Sequence, residues 1–147
     1  MDKNQHPISL VVSPEVSLQE KEMVCKNLYQ YNVIHTASLL EKPGKPINLV
    51  LKDRQGQVFG GIFCETFLYC LYIDVLWIDE SCRGYGYGKA LISEAEKIAR
   101  EYGCTFAHTS TFSYQSPDFY QRAGYEIFAV IDDYPDGIEQ YFLKKKL

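Results

Sequence analysis

The sequence has no long apolar run and no excess of basic residues, and each absence removes a class of protein. No apolar stretch approaches the roughly 18 residues of a membrane-spanning helix, and the first residues lack the apolar core of a secretory leader. Fifteen Lys and Arg against nineteen Asp and Glu give a net charge of −4, which counts against general nucleic-acid binding. We therefore expect a soluble, cytoplasmic protein with neither a membrane nor a nucleic-acid partner.

Metal-binding and disulfide patterns are also missing. The five cysteines are an odd number and contain no CxxC pair, and the three histidines lie far apart; they are Cys25, Cys64, Cys70, Cys82, Cys104, His6, His35 and His108. These spacings match no zinc site. We expect free, buried thiols in a reducing compartment and no bound metal.

The chain is of a length and composition that favour one domain over residues 1–147, since it has 147 residues of which 46% are hydrophobic. A Ser17–Glu20 capping box predicts a helix to about Asn32, and two more helices are predicted over 88–102 and 116–122. Apolar and alternating runs predict strands at 8–12, 47–52, 58–64, 69–78, 105–112, 125–131 and 140–144. This order predicts an α/β fold with helices packed on a mixed sheet.

The run over residues 69–78 (YCLYIDVLWI) is almost continuously apolar, with Asp74 as its single charge. Such a run predicts a central strand that is covered on both faces. A carboxylate inside it is costly unless it is paired or functional. Asp74 is therefore a candidate for the site, and a carboxylate that binds a neighbouring Arg or Tyr is the alternative.

The loop that follows this strand, residues 83–88 (RGYGYG), has glycine at alternate positions and leads directly into a helix. Glycines let backbone amides approach a ligand closely, and the first amides of a helix lack internal acceptors, so the segment predicts a phosphate site. Arg83 and Lys89 add positive charge. A P-loop is excluded because the GxxxxGK[ST] pattern is absent, and a dinucleotide fingerprint is excluded by the glycine spacing and the mid-chain position.

Three segments together carry a resemblance to a known family. They are the Arg-x-x-Gly-x-Gly loop at 83–88, the preceding LWIDE at 76–80, and FYQRAGY at 119–125. With them the sequence resembles the GNAT superfamily of acyl-CoA-dependent N-acetyltransferases over roughly residues 8–145. The resemblance implies a mixed, mostly antiparallel central sheet of 6–7 strands flanked by 3–4 helices, with acetyl-CoA as co-substrate.

The resemblance also implies site residues. Cofactor contacts are expected from the strand end, from the pyrophosphate loop and from the later helix: Leu76, Trp77, Ile78, Arg83, Gly84, Tyr85, Gly86, Tyr87, Gly88, Lys89, Ser116 and Tyr120. Tyr120 matches the family's tyrosine near the CoA sulfur, the usual general acid. Ser113 stands where many members have Asn, and Ser116 is expected above all to cap the helix that begins at Pro117.

An N-acetyl transfer needs a group that accepts the proton of the attacking amine, because an alkyl ammonium has a pKa near 10. Asp74 is the expected base and His108, on a neighbouring strand, is the alternative. The expected function is transfer of an acetyl group to a primary amine of a small molecule. A non-catalytic acyl-CoA-binding sensor and an unrelated nucleotide-phosphate binder are the alternatives. A homodimer is suggested only by analogy with the fold.

Overall fold

The computed structural model describes residues 8–39 and 42–147, and the chain divides between Ser38 and Leu39 into two compact units. The first seven residues, on which the leader prediction depends, lie outside the described residues. In the described part of the chain, no helix is both long enough and apolar enough to cross a bilayer. The extent of a single domain over 1–147 stays a prediction.

The described part of the first unit contains the helix α1 (Leu18–Thr36). The predicted capping box is confirmed at its start: the Ser17 hydroxyl accepts the Glu20 amide at 3.2 Å, and the Ser17 amide donates to the Glu20 carboxylate at 2.7 Å. The predicted strand over residues 8–12 is wrong, because these residues form no strand and Val12 is fully exposed. A β-branched run favours an extended backbone, but a strand also needs a pairing partner and a surface to pack on.

The second unit is built on a six-stranded sheet in the order β1-β2-β3-β4-β6-β5. Its strands are β1 (Pro46–Lys52), β2 (Val58–Phe67), β3 (Cys70–Ile78), β4 (Phe106–Phe112), β5 (Glu126–Ile131) and β6 (Gln140–Lys146). The pair β3 and β4 is parallel, and every other neighbouring pair is antiparallel. With α2 (Tyr87–Tyr102) and α3 (Pro117–Arg122), the predicted α/β class and mostly antiparallel sheet are confirmed.

Helix α2 packs on the sheet through one apolar face. Leu91, Ala95 and Ala99 are buried at helical spacing, and Ile98 and Tyr102, which were predicted for the same face, are half-buried. The core between this helix and the sheet is made mainly of Ile47, Ile62, Cys64, Leu71, Ile73, Leu91, Ile92, Ala95, Ala99, Ala107 and Leu143. This packing sets the start of α2 beside the end of β3.

Strand β3 is central, as predicted, but the expected cover on both of its faces is wrong. One face meets the core through Leu71 and Ile73 and, after residue 74, through Leu76 and Ile78. The other face is exposed, since Val75 is 41% and Trp77 51% exposed. The apolar character of the strand end is therefore divided between the core and the surface.

Candidate functional site

The site begins where two parallel strands separate. Strands β3 and β4 pair only between residues 70–72 and 106–108. The Thr109 hydroxyl then donates to the Ile73 carbonyl oxygen at 2.9 Å and ties the strands together just beyond their last backbone pairing. Past this hydrogen bond a cleft opens that is lined by both strands.

A bulge in β3 lies at Asp74, the first residue of this strand that lines the cleft. Phe63 on β2 faces Val75, but the next residue, Cys64, faces Ile73, so Asp74 has no opposite residue on β2. A bulge of this kind bends a strand and increases its twist. It allows Asp74, which is exposed and not buried within the sheet, to contribute to the cleft lining.

The end of β3 forms one wall of the cleft. Leu76, Trp77 and Ile78 pair with β2 on one side only, because the recorded pairing with β4 stops at residue 72. All three line the cleft, as predicted. A strand edge that is paired on one side can bind an extended amide-bearing ligand as an additional strand.

The glycine loop lines the cleft at the start of α2. Gly84 and Gly86 have φ of +81° and +84°, and Gly86 is the N-cap of the helix. The Ala90 amide bonds to the Gly86 carbonyl oxygen at 3.0 Å, and among the described residues no backbone carbonyl accepts the amides of residues 84–89. These donors lie at the positive end of the helix dipole, which is a favourable place for phosphate oxygens.

The first turn of α2 lies against α3. A Cβ at Gly88 would stand 3.1 Å from the Phe119 ring, so any other residue there would require the ring to shift. Positive charge surrounds this end of the cleft, since Arg83, Lys89 and Arg122 all contribute to the lining. The Arg83 Nε also donates to the Ile78 carbonyl oxygen at 3.0 Å, which links the loop to the end of β3.

The cleft has a volume of about 940 Å³. Among the predicted residues, its lining includes Asp74, Leu76, Trp77, Ile78, Arg83, Gly84, Gly86, Tyr87, Gly88, Lys89, Ser116 and Tyr120. Tyr85 is the exception: it lies outside the recorded lining and is 76% exposed. The structure therefore brings nearly all of the predicted site residues to one place.

Tyr120 is the buried titratable group of the cleft wall and is 7% exposed. Its ring meets Phe119 and Tyr125 edge to face, with centroids 5.3 and 5.8 Å away. Burial raises the pKa of the Tyr120 phenol, and a hydrogen bond with Thr109 opposes this in part. Tyr120 is thus a neutral phenol near pH 7, next to the residue that joins the two diverging strands.

Asp74 lies on the same side of β3 as Tyr72, whose hydroxyl donates to the carboxylate at 3.5 Å. Burial and the nearby Asp74 charge raise the pKa of Tyr72. The Tyr72 ring in turn contacts the His108 ring, with centroids 4.9 Å apart. Burial lowers the pKa of His108, and His108 is not among the recorded lining residues, so it sits behind Tyr72 rather than in the cleft.

The two serines before Tyr120 differ in their surroundings. Ser113 accepts the Glu139 amide with its hydroxyl at 3.1 Å and donates its own amide to the Glu139 carbonyl, so it binds a loop rather than the cleft. Ser116 stands at the N-cap position of α3, but its side chain makes no capping hydrogen bond. The expectation that the Ser116 hydroxyl caps the helix is therefore wrong, because its backbone (φ −137°, ψ 59°) departs from the usual capping conformation.

Sequence reasoning missed several residues of the cleft. They are Val75, Cys82, Ser110, Thr111, Gln115, Phe119 and Arg122. Gln115 orders the end of β4, since its side-chain oxygen accepts from the Phe112 amide at 2.9 Å and from the Thr111 hydroxyl at 3.2 Å. The position of Phe119 and Arg122 within the FYQRAGY segment was the available signal for those two.

The chain is similar to known proteins in both sequence and fold. The model of the Acetyltransferase (GNAT) family matches residues 14–125. A blasticidin-S acetyltransferase from Streptomyces morookaense is 43% identical over 94 residues, which are 63% of this chain and 69% of the relative. The structure of an acetyltransferase from Bacillus cereus ATCC 14579 is 37% identical, covers 93% of this chain and 98% of its own, and superposes with a TM-score of 0.77.

A more distant structure shares the fold alone. It is a Bacillus anthracis str. Ames protein, provisionally assigned as a streptothricin acetyltransferase and solved with acetyl coenzyme A, with 19% identity and a TM-score of 0.62 over 76% of this chain and 67% of its own. The chain belongs to the GNAT family of acetyltransferases, and it is therefore an acyltransferase.

Proposed function

We propose that this protein transfers the acetyl group of acetyl-CoA to a primary amine of a small molecule. The observation that carries the proposal is the cleft itself, whose lining combines a row of backbone amides, an open strand edge and a buried phenol. Each of these matches one part of a CoA thioester: the pyrophosphate, the pantetheine amides and the sulfur.

The amides of residues 84–89 bind the pyrophosphate in this proposal, helped by the charges of Arg83, Lys89 and Arg122. Leu76 offers its backbone groups to the pantetheine arm on the side away from β2, because the Asp79 amide bonds to the Phe59 carbonyl oxygen and backbone groups alternate in direction along a strand. Trp77 contributes exposed apolar surface to the same wall.

In the chemical step, the amine nitrogen attacks the thioester carbonyl carbon and the carbon–sulfur bond breaks. Tyr120 gives the proton that the leaving thiolate needs, and it is available as a donor because burial keeps the phenol neutral. A simple thiol has a pKa of about 8.5, below that of the phenol, so the transfer depends on the site holding Tyr120 against the sulfur.

Asp74 is the group that orients the amine and receives its proton. It contributes to the cleft lining beside the β3 bulge, and among the described residues its side-chain hydrogen-bond partner is Tyr72, at 3.5 Å. His108 is less well placed for this role, since it lies outside the recorded lining and burial lowers its pKa, which weakens it as a base. Asp74→Asn should raise the acceptor KM or lower kcat without weakening CoA binding.

The relatives support a small-molecule acceptor, since one is named for blasticidin S and another, of similar fold, for streptothricin. A net charge of −4 favours a cationic acceptor through long-range attraction. The homodimer and the cytoplasmic location stay predictions.

A thermal-shift titration with acetyl-CoA, CoA, ATP and NAD tests the donor, with a Gly86→Glu variant beside the wild type. We expect acetyl-CoA and CoA to raise the Tm of the wild type only, and thiol release on adding amines to follow. Equal shifts with ATP or NAD would contradict a CoA site. A shift with acetyl-CoA but no thiol release across a broad amine panel would instead favour a non-catalytic acyl-CoA sensor.

A further inference from the structure

A buried carboxylate outside the cleft, Glu96, binds three different side chains. It lies in the middle of α2 and its side chain is 5% exposed. Lys145 of β6 donates to both of its oxygens, at 2.9 and 2.8 Å, and Arg100 donates to Oε2 at 3.3 Å. The Tyr125 hydroxyl donates to Oε1 at 3.0 Å.

Lys145 extends this network to the helix that carries Tyr120. Its ammonium donates to the Ala123 carbonyl oxygen at 2.8 Å, at the C-terminal end of α3. The lysine stem passes over Gly124, where a Cβ would stand 3.4 Å from the Lys145 Cε. Lys145 therefore donates hydrogen bonds both to a carboxylate on α2 and to the C-terminal end of α3.

A second connection runs through Tyr125. Its hydroxyl is bound to Glu96, its amide donates to the Tyr120 carbonyl oxygen at 2.9 Å, and its ring meets the Tyr120 ring edge to face. Burial, reinforced by the Glu96 charge, raises the pKa of Tyr125, so this hydroxyl remains a donor. Two independent contacts thus lead from one carboxylate to the backbone around Tyr120.

We propose that the Glu96–Lys145 ion pair positions Tyr120 against the cleft by fixing the end of α3 relative to α2. The inference rests on the proposed function, in which Tyr120 donates to the leaving sulfur. Helix α2 carries the glycine loop at its N-terminus, so the pair joins the element that binds the pyrophosphate to the element that carries the acid. Glu96 and Lys145 do not themselves line the cleft and act through Ala123 and Tyr125.

The energetics of buried ion pairs agree with a positioning role. Removing two charges from water is costly, and a buried pair is often no more stabilising than an uncharged pair of similar size. Removing one partner alone is destabilising, because the other charge is left buried. The double variant Glu96→Gln/Lys145→Met is therefore the informative one, since it leaves no uncompensated lysine and keeps an acceptor for the Tyr125 hydroxyl.

The experiment measures Tm, kcat and the KM for acetyl-CoA of this double variant. The kinetic assays are run at a temperature well below the lowest Tm among the variants. We expect a Tm closer to wild type than that of Lys145→Met, a kcat about tenfold lower and a nearly unchanged KM, because small misplacements of a catalytic group reduce turnover strongly. Glu94→Gln/Lys97→Met is the matched control, since this pair lies on an exposed face of the same helix at 3.6 Å. The control should keep its kcat.

Combination with Tyr120→Phe separates positioning from general stability. If the ion pair acts through the Tyr120 hydroxyl, the Glu96→Gln/Lys145→Met change should cost little further kcat in the Tyr120→Phe background. Equal losses of kcat in both backgrounds, or an unchanged kcat with a lower Tm, would overturn the inference and leave the proposed function intact. An unchanged kcat for Tyr120→Phe alone would overturn the acid role of Tyr120 in the proposed function itself.

Discussion

Gly86 allows a specific test of the glycine loop, because a substitution there strains the backbone conformation without creating a steric clash. Its φ is +84° and ψ is 4°, and a Cβ built there meets nothing within 4 Å. Gly86→Ala therefore introduces no clash, and its cost is the left-handed conformation alone, about 1–2 kcal/mol. Gly86 is exposed, so we expect the alanine variant to relax and rotate the neighbouring amides away from the phosphate position.

Binding of CoA would then have to restore the strained conformation. The same 1–2 kcal/mol appears as a Kd that is about 5 to 30 times higher. Gly56 supplies a matched control, because its φ is +86°, a Cβ there also meets nothing within 4 Å, and it lies in the β1–β2 turn away from the cleft. Isothermal titration calorimetry with CoA should give a wild-type Kd for Gly56→Ala. A wild-type Kd for Gly86→Ala would refute the assignment of this loop to the pyrophosphate.

Three further outcomes are expected. Tyr120→Phe should lower kcat about 100-fold or more with little change in the KM for acetyl-CoA. Because burial raises the pKa of Tyr120, the kcat of the wild type should not fall on the alkaline side before about pH 10. A fall of kcat between pH 8 and 9 would contradict the assignment of Tyr120 as the acid. A thiol reagent at pH 8 should label the exposed Cys25 well before Cys64 and Cys70, because burial raises their pKa values to about 12 and about 11; peptide mapping of the labelled protein checks the order. Ser113→Ala should cost about 1 kcal/mol of unfolding free energy, the worth of one hydrogen bond, and leave the Kd for CoA unchanged, so a tenfold weaker Kd would place Ser113 in the site after all.

Sequence reasoning located the residues whose role depends only on a short segment of the chain. The alternating glycines at 84, 86 and 88 indicate a loop because of the backbone conformation that glycine permits, and two of them have positive φ in the structure. Ser17 and Glu20 form a capping box, because both groups lie within one helical turn. Such patterns need no knowledge of the rest of the fold.

The residues whose partners sequence reasoning could not identify depend on contacts made far along the chain. Ser113 is bound by Glu139, 26 residues away, so nothing local indicates that its hydroxyl is occupied. Glu96 and Lys145 are 49 residues apart, and each alone looks like an ordinary surface charge in the sequence. The strand predicted at 8–12 failed for the same reason, since local propensity cannot supply a partner strand.

The end of β3 shows why an apolar pattern can predict an element correctly and its environment wrongly. Apolar strand residues are usually interpreted as core, but Val75 and Trp77 remain 41% and 51% exposed because they lie on the face of β3 opposite the core. The bulge at Asp74, after which Leu76 and Ile78 are the residues that meet the core, has no sequence pattern of its own. Exposed apolar surface beside an open strand edge favours a ligand with both amide and aliphatic groups over a purely ionic one. The property that made the strand look buried is therefore the one that suits it to a pantetheine arm.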